Sequence, residues 1–391
     1  MESKAGLDCE RFVGIGWYLI VLIYDLDLSS LSELLNFWGE PAYRARQIWQ
    51  GLYQHFYNLP SQFPNIPKPL REKLANEFDF AGIEPVRYLD SSDKQTRKTL
   101  FKLHDGHLIE AVLMRYGDPL APSSIPSGWD TPPKSDAVGF GGRRRGARRT
   151  LCISTQAGCA MGCVFCATGQ MGFKRHLSSG EIVAQVMYYA RMLGKEEVPV
   201  TNIVVMGMGE PFHNYENTMA AIDRLNDADG YNFGARRITI STVGLVPQIK
   251  RFADEKRQVN LAISLHAAQD DLRLSMMPIN KKYSIEEILD ACRYYVAQTG
   301  RRVTFEWALI NGINDTPEEA RKLATRLKGL LCHVNAIPLN PTKGYEGQAT
   351  TRERATRFKE SLEQAGIPCT IRMRRGIDIQ AGCGQLAGST V

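Results

Sequence analysis

The sequence predicts an α/β protein in which a parallel sheet curls into a partial (βα)6 barrel behind a small N-terminal helical domain. Three observations carry this expectation. Apolar strand-like runs recur at 151–154 (LCIS), 202–206 (NIVVM), 238–241 (ITIS), 260–265 (NLAISL), 303–309 (VTFEWAL) and 334–339 (VNAIPL). Amphipathic helical stretches separate them, and right-handed crossovers between six such units make a parallel sheet that curls. The front of the chain has helical periodicity instead. A flat doubly wound sheet is the alternative arrangement of the same units.

Taken in order, residues 1–24 form an apolar N-terminal extension. Its run at 12–24, FVGIGWYLIVLIY, is about half the length that a bilayer demands. It lacks the basic flank and small-residue site of a signal peptide, so either a buried terminal segment or an extension from an upstream start codon is expected, and no stable membrane association. Residues 25–95 read as a helical domain: Leu31, Leu34, Leu35 and Phe37, then Ala45, Ile48, Trp49, Leu52 and Tyr53, fall at turn spacing. Ser29, Ser30 and Ser32 offer helix starts, and Pro60, Pro64, Pro67 and Pro69 separate the helices. Residues 96–149 hold a hairpin (96–114) turning at Asp105-Gly106, then a loop rich in Pro, Ser and Gly. The loop ends in a basic arm of Arg143, Arg144, Arg145, Arg148 and Arg149, which suits either a solvated surface or phosphate contacts. Residues 150–391 are the barrel and a glycine-rich tail. Its clearest helix is 181–193, where Ile182, Val183, Val186, Met187, Ala190 and Leu193 share a face behind a Ser178/Glu181 capping-box spacing.

Composition narrows the class. The 391 residues are 43% hydrophobic, enough for a large core, and 48 Lys and Arg against 42 Asp and Glu leave a formal charge of +6. That excess permits a polyanionic partner without requiring one. Nine cysteines, an odd number, argue against a disulfide framework and for a reducing compartment in which thiols serve metal or catalysis. A cytoplasmic monomer is expected.

Barrels bind ligands at the carboxyl ends of their strands. Those positions hold Gly209 and Glu210, Ser241, Ser264, Leu265 and His266, and Asn340. Directly after the first barrel strand stands Cys159-x3-Cys163-x2-Cys166. Three thiolates on one loop suit three irons of a [4Fe–4S] cubane, leaving the fourth iron open to S-adenosyl-L-methionine. Structural zinc is the rival, with His176 as the fourth ligand. The run GMGEP (207–211) lets backbone approach a ligand closely, and Ser241, Ser264 and Asn340 stand where they could meet its ribose or carboxylate.

STQAGCAMGCVFCATG (154–169), GMGEP, STVG (241–244), ISLHA (263–267), PINKKY (278–283) and GCGQLAG (382–388) together resemble the radical S-adenosylmethionine superfamily, and within it the RlmN/Cfr family of RNA adenine methyltransferases. The front segment LSELLNFWGEPAYRARQIWQGLY (31–53) is similar to that family's N-terminal domain of RNA-binding type. The resemblance implies that Cys383 carries a methyl group received from one S-adenosylmethionine. A second molecule, split at the cluster, generates the radical that lets this methyl carbon add to adenine C2. It implies that Cys152 resolves the protein–RNA adduct through a transient disulfide with Cys383, and that Glu110 accepts a proton near the base. Judged alone, Cys152 reads as a buried inert thiol and Glu110 as a solvated carboxylate on a hairpin. Partners implied are 23S rRNA and tRNA, with a reductant such as flavodoxin or ferredoxin. Methylation at C8, and a non-catalytic zinc-containing RNA-binding protein, are the alternative functions.

Overall fold

The computed structural model describes residues 21–117, 147–372 and 374–388. The readings for 1–20 and for most of the 117–149 loop, Arg143, Arg144 and Arg145 included, lie outside the described residues.

The chain enters through β1 (Val21–Leu22) and runs into α1 (Leu28–Phe37), α2 (Tyr43–Tyr53) and α3 (Lys68–Glu77), then β2 (Phe78–Asp79), which pairs parallel with β1. Asp27 caps α1 by accepting from the Ser30 amide at 2.7 Å. The apolar positions at turn spacing, Leu31, Leu35, Ala45, Ile48, Trp49 and Leu52, are all buried. Ile23 and Tyr24 are buried with them, so the end of the apolar run is core. Asp25 ties this unit to the barrel. Its carboxylate accepts from the Gly180 amide at 2.6 Å and from Ser178 and Ser179 hydroxyls, at the amino end of a barrel helix where an anion is favoured.

Three antiparallel strands follow: β3 (Glu84–Asp90), β4 (Thr96–Lys102) and β5 (Leu108–Tyr116). The hairpin turns where expected, Gly106 taking φ +85°. The helical domain does not extend to residue 95 as the sequence predicts; β3 is an exposed edge strand whose surface pattern carries little apolar signal. Nor is the hairpin separate from the barrel, since β5 pairs antiparallel with β6 (Arg148–Cys152), the first barrel strand.

After β6 come a small ribbon, β7 (Gln156–Gly158) with β8 (Phe173–His176), and between them α4 (Ala167–Gln170). The barrel continues α5 (Ser179–Gly194), β9 (Asn202–Val205), α6 (Tyr215–Asn226), β10 (Ile238–Thr242), α7 (Val246–Asp254), β11 (Asn260–Ser264), α8 (Asp270–Met276), α9 (Ile285–Thr299), β12 (Val303–Leu309), α10 (Pro317–Leu327), β13 (Cys332–Pro338), α11 (Arg352–Gln364) and β14 (Cys369–Ile371). Strand order is β14-β13-β12-β11-β10-β9-β6-β5-β4-β3, parallel from β6 to β14. Because the order never reverses, the sheet is a partial barrel and not doubly wound. All six expected strands are present, with β14 added at the edge.

The α5 cap forms as its spacing implies. The Ser178 hydroxyl accepts from the Glu181 amide at 3.1 Å, and the Glu181 carboxylate accepts from the Ser178 amide at 2.9 Å. No helix among the described residues is long and apolar enough to cross a membrane.

Candidate active site

At the carboxyl ends of the barrel strands lies a cavity of about 1000 Å³ including its open mouth. Cys159, Cys163 and Cys166 line one side, Gly207, Gly209 and Glu210 the next, and Ser241, Ser264, His266, Asn340 and Cys383 close it. The structure therefore brings together every residue assigned to cluster and cofactor from the sequence except Leu265. That side chain is fully buried behind the wall, and its backbone N–H donates to the Glu306 carbonyl.

The cysteine loop is shaped by backbone. The Cys159 amide donates to Gly172 at 3.1 Å and the Cys166 amide to the Cys163 carbonyl at 3.1 Å. Burial pushes the Cys159 thiol up to about 12 and Cys163 well above its ordinary value. Bare thiolates are thus disfavoured, and bound iron supplies the positive charge that offsets this. Among the described residues no three His, Cys, Asp or Glu side chains converge to hold one metal ion. A cubane makes no such demand, because each of its cysteines ligates a different iron. The donor set fits the cluster.

The glycine loop after β9 packs tightly on the segment that follows β6. A Cβ on Gly207 would stand 2.6 Å from the Ser154 hydroxyl, and Gly209, at φ +101°, leaves no room beside Gln156. Glu210 is 3% exposed and holds its own loop: it accepts from the Phe212 amide at 3.0 Å and the Val243 amide at 2.9 Å. Burial raises its carboxyl to about 7 against those bonds. Its amide donates to Gln156 Oε1 at 2.8 Å, while Gln156 Nε2 meets Nδ1 of both His176 and His213. Gln156 lies in the run 154–169, but its sequence position gives it no role. His176 is engaged there and not with the cysteines. Ser241 and Ser264 hydroxyls are 3.2 Å apart. His266, at φ +61°, accepts at Nδ1 from the Ala308 amide at 2.9 Å. Asn340 donates to the Cys383 carbonyl at 3.1 Å, and its own Oδ1 is buried without a partner, an acceptor left for a ligand.

A second cavity adjoins the first and shares Cys166, Met206, Gly207, Asn340, Cys383 and Gly384 with it. Its far side holds Cys152, Tyr116, Arg372, Arg374 and Arg375. Cys383 stands on the shared wall. Protein packs densely around it, yet solvent reaches it through the openings. That dense surround pushes its thiol up, and the Arg372 guanidinium pulls it down. Cys152 lies close enough to feel the charge of Cys383; burial and that charge raise it to about 12. Both thiols are free. Tyr116 is sandwiched between Arg148 and Arg375 at 4.2 and 4.4 Å.

Glu110 reaches neither cavity. It is 2% exposed, not solvated. Oε1 pairs with Lys98 at 2.9 Å, and Oε2 accepts from the Ala387 and Gly388 amides at 2.8 and 3.2 Å. A proton acceptor at the substrate needs a free carboxylate facing Cys383; here that carboxylate fastens the tail that carries Cys383. Further ties are Thr168 to the Leu386 carbonyl at 2.6 Å, the Ala167 amide to Gly384 at 2.7 Å and Gln385 to the Pro341 carbonyl at 3.0 Å.

Comparison with known proteins agrees with this geometry. Residues 153–324 match the family model described as the radical SAM superfamily, and residues 21–79 match the ribosomal RNA large subunit methyltransferase N-terminal domain. A probable dual-specificity RNA methyltransferase RlmN of Chloroflexus aurantiacus is 45% identical, over 94% of this chain and 92% of its own length. Dual-specificity RNA methyltransferase RlmN 1 of Myxococcus xanthus is 44% identical over 93% of each. The crystal structure of a radical SAM methyltransferase from Sphaerobacter thermophilus superposes with a TM-score of 0.85 at 47% identity, covering 94% of this chain and all of that one. A [4Fe–4S] cluster and S-adenosylmethionine are the cofactors that go with this fold and cysteine loop. The chain belongs to the RlmN family of radical S-adenosylmethionine RNA methyltransferases.

Proposed function

We propose that the enzyme methylates C2 of adenine in 23S rRNA and in tRNA by way of a methyl group carried on Cys383. The observation that carries this reading is the position of Cys383 on the wall between two cavities. One cavity has the cysteine loop and the polar strand ends; the other has Cys152 and three arginines. A carrier thiol has to meet a methyl donor on one side and an anionic substrate on the other.

The cluster, through Cys159, Cys163 and Cys166, and S-adenosylmethionine supply when bound the methyl group and the one-electron chemistry that an unactivated adenine carbon needs. Gly207 and Gly209 let the donor lie against backbone, and Ser241, Ser264 and Asn340 offer it polar contacts. Cys383 holds the methyl. Cys152, as a thiolate, then attacks the Cys383 sulfur, forming a disulfide as the bond from that sulfur to the bridging carbon breaks; the carbon keeps the electron pair and takes up a proton to become the methyl of the base. Both thiols sit well above neutral in the free enzyme, so each acts only after losing its proton during turnover. Arg372, Arg374 and Arg375 face the RNA backbone. Glu110 holds the tail in place and becomes available near the base only if Ala387 and Gly388 let go of it. A reductant such as flavodoxin or ferredoxin, a cytoplasmic setting and a monomeric state complete the proposal.

Mass spectrometry of digested RNA tests it. Cys383→Ala is expected to abolish the new methyl, and Cys152→Ala to accumulate a covalent RNA–protein adduct on a denaturing gel. A methyl on C8 would reassign the carbon. Normal turnover by Cys152→Ala would remove its resolving role, and a colourless, zinc-loaded protein would overturn the radical reading.

A further inference from the structure

Behind the wall of the first cavity is a charge that the proposed chemistry does not use. Arg273, on α8, is completely buried. Nε donates to the Leu265 carbonyl at 3.1 Å and Nη1 to Asn280 Oδ1 at 2.9 Å. Nη2 donates to the carbonyls of Val243 at 2.6 Å and Ser264 at 3.2 Å. All four acceptors are neutral. A guanidinium stays charged at neutral pH, and a buried charge without a counter-ion is costly. Asp270 does not bond it directly: Asn280 stands between them, donating to Asp270 Oδ1 at 3.0 Å.

The missing negative charge lies on the cavity side. The cysteine loop rests on the end of α8, where the Val164 amide, next to Cys163, donates to Met276 at 3.0 Å. Val243 and Ser264, whose carbonyls the guanidinium holds, line the cavity itself. The cation is therefore fixed at the ends of β10 and β11, one wall away from where three thiolates gather.

We propose that Arg273 is the built-in counter-cation of the iron–sulfur cluster, a positioning residue that raises the cluster's reduction potential by stabilising its more negative, reduced form. A carboxylate partner would cancel that field, so the site satisfies the guanidinium with dipoles instead. The carbonyl bonds also fix the strand ends that present Ser241 and Ser264. The inference rests on the proposed cluster at Cys159, Cys163 and Cys166.

The test is an anaerobic dithionite titration of the iron-reconstituted full-length protein, followed by electron paramagnetic resonance. Arg273→Gln is expected to lower the midpoint. At fixed potential the reduced-to-oxidised ratio would fall about tenfold, equal to about 59 mV for one electron. Arg273→Lys, which keeps the charge, should restore most of it. Equal midpoints for wild type and Arg273→Gln overturn the proposal, as does an identical fall in the Gln and Lys variants, which marks packing and not charge. Where Arg273→Gln does not fold, Asp270→Asn provides the opposite perturbation: removing this carboxylate should raise the midpoint, and no rise counts against the proposal. Failure of wild type to assemble any cluster is a different result, and refutes the cluster reading itself.

Discussion

Glu110→Gln isolates the fastening of the carrier tail. The Glu110 carboxylate is 3% exposed and its Lys98 partner 11%, so water screens the pair little. Three donors converge on it: Lys98 Nζ at 2.9 Å and the Ala387 and Gly388 amides at 2.8 and 3.2 Å. Glutamine has one carbonyl oxygen. Turned to the tail, it sets its amide hydrogens against Lys98; turned to Lys98, it sets them against the tail. Charge-assisted hydrogen bonds are worth about 1.5–3 kcal/mol each, and breaking one partner of a buried pair costs about 3–5 kcal/mol. A loss of about 3 kcal/mol in tail docking increases local opening on the order of 100-fold. Hydrogen exchange resolved at Leu386, Ala387 and Gly388 measures that opening directly, and the rate of Cys383 alkylation reports it independently. Adding Lys98→Met removes the stranded cation and should recover part of the loss, as a double-mutant cycle would show. Unchanged protection at 386–388 refutes the reasoning; so does equal loss of protection throughout the barrel, which would mean general destabilisation.

The other predictions draw on separate parts of the site. Gly209→Ala places a methyl group 2.6 Å from Gln156 at φ +101°, so calorimetry should show binding of S-adenosylmethionine at least tenfold weaker. His266 is held neutral, burial and Arg273 lowering it to about 3 while its Nδ1 accepts from Ala308. The unfolded chain takes up a proton below about 6.5 and the folded one does not, so this contribution to stability is full above 6.5 and lost as pH falls towards 3. His266→Asn, which tolerates positive φ and keeps an acceptor, should flatten the dependence of melting temperature on pH between 6.5 and 4. Arg374→Ala should weaken RNA binding, and a salt titration of that binding should show a slope shallower by about 0.7–0.9, the share of a single neutralised phosphate.

How much of this was legible follows from the range of the forces involved. The barrel strands are short apolar runs between amphipathic helices, and Ser178 with Glu181 is a local spacing with a local hydrogen bond, so pattern alone recovers both. Strand β3 is recognisable only by its pairing with β4, since its residues are mostly exposed. Strand β14 is three residues long and exists because β13 offers an edge. Glu110 looks solvated from its neighbours in sequence; the groups that bury it, Ala387 and Gly388, are 277 and 278 residues further on. Arg273 has the same problem. A charge in the segment DLRLSM reads as a solvated helix face, and the carbonyls that enclose it come from the ends of two strands. Apolar periodicity survives this distance because burial is non-directional, whereas polar partnerships depend on where single atoms end up.

The tail shows why those distant partnerships matter for the chemistry. In the proposed mechanism Cys383 exchanges partners: a methyl donor in one cavity, RNA and then Cys152 in the other. A carrier embedded in a strand could not do this, because ladder hydrogen bonds would hold its backbone. Residues 382–388 instead hang on individual bonds: Asn340 to the Cys383 carbonyl, Ala167 to Gly384, Gln385 to Pro341, Thr168 to Leu386 and Glu110 to Ala387 and Gly388. Ala167 and Thr168 follow Cys166 directly, and Asn340 lines both cavities. Glu110 and Lys98 belong to the hairpin, which is continuous with β6 and Cys152. The tail is thus clasped by individual bonds from the cysteine loop, from the cavity wall and from the hairpin. Under the proposed mechanism, freeing Ala387 and Gly388 would expose the Glu110 carboxylate in the same movement that loosens Cys383.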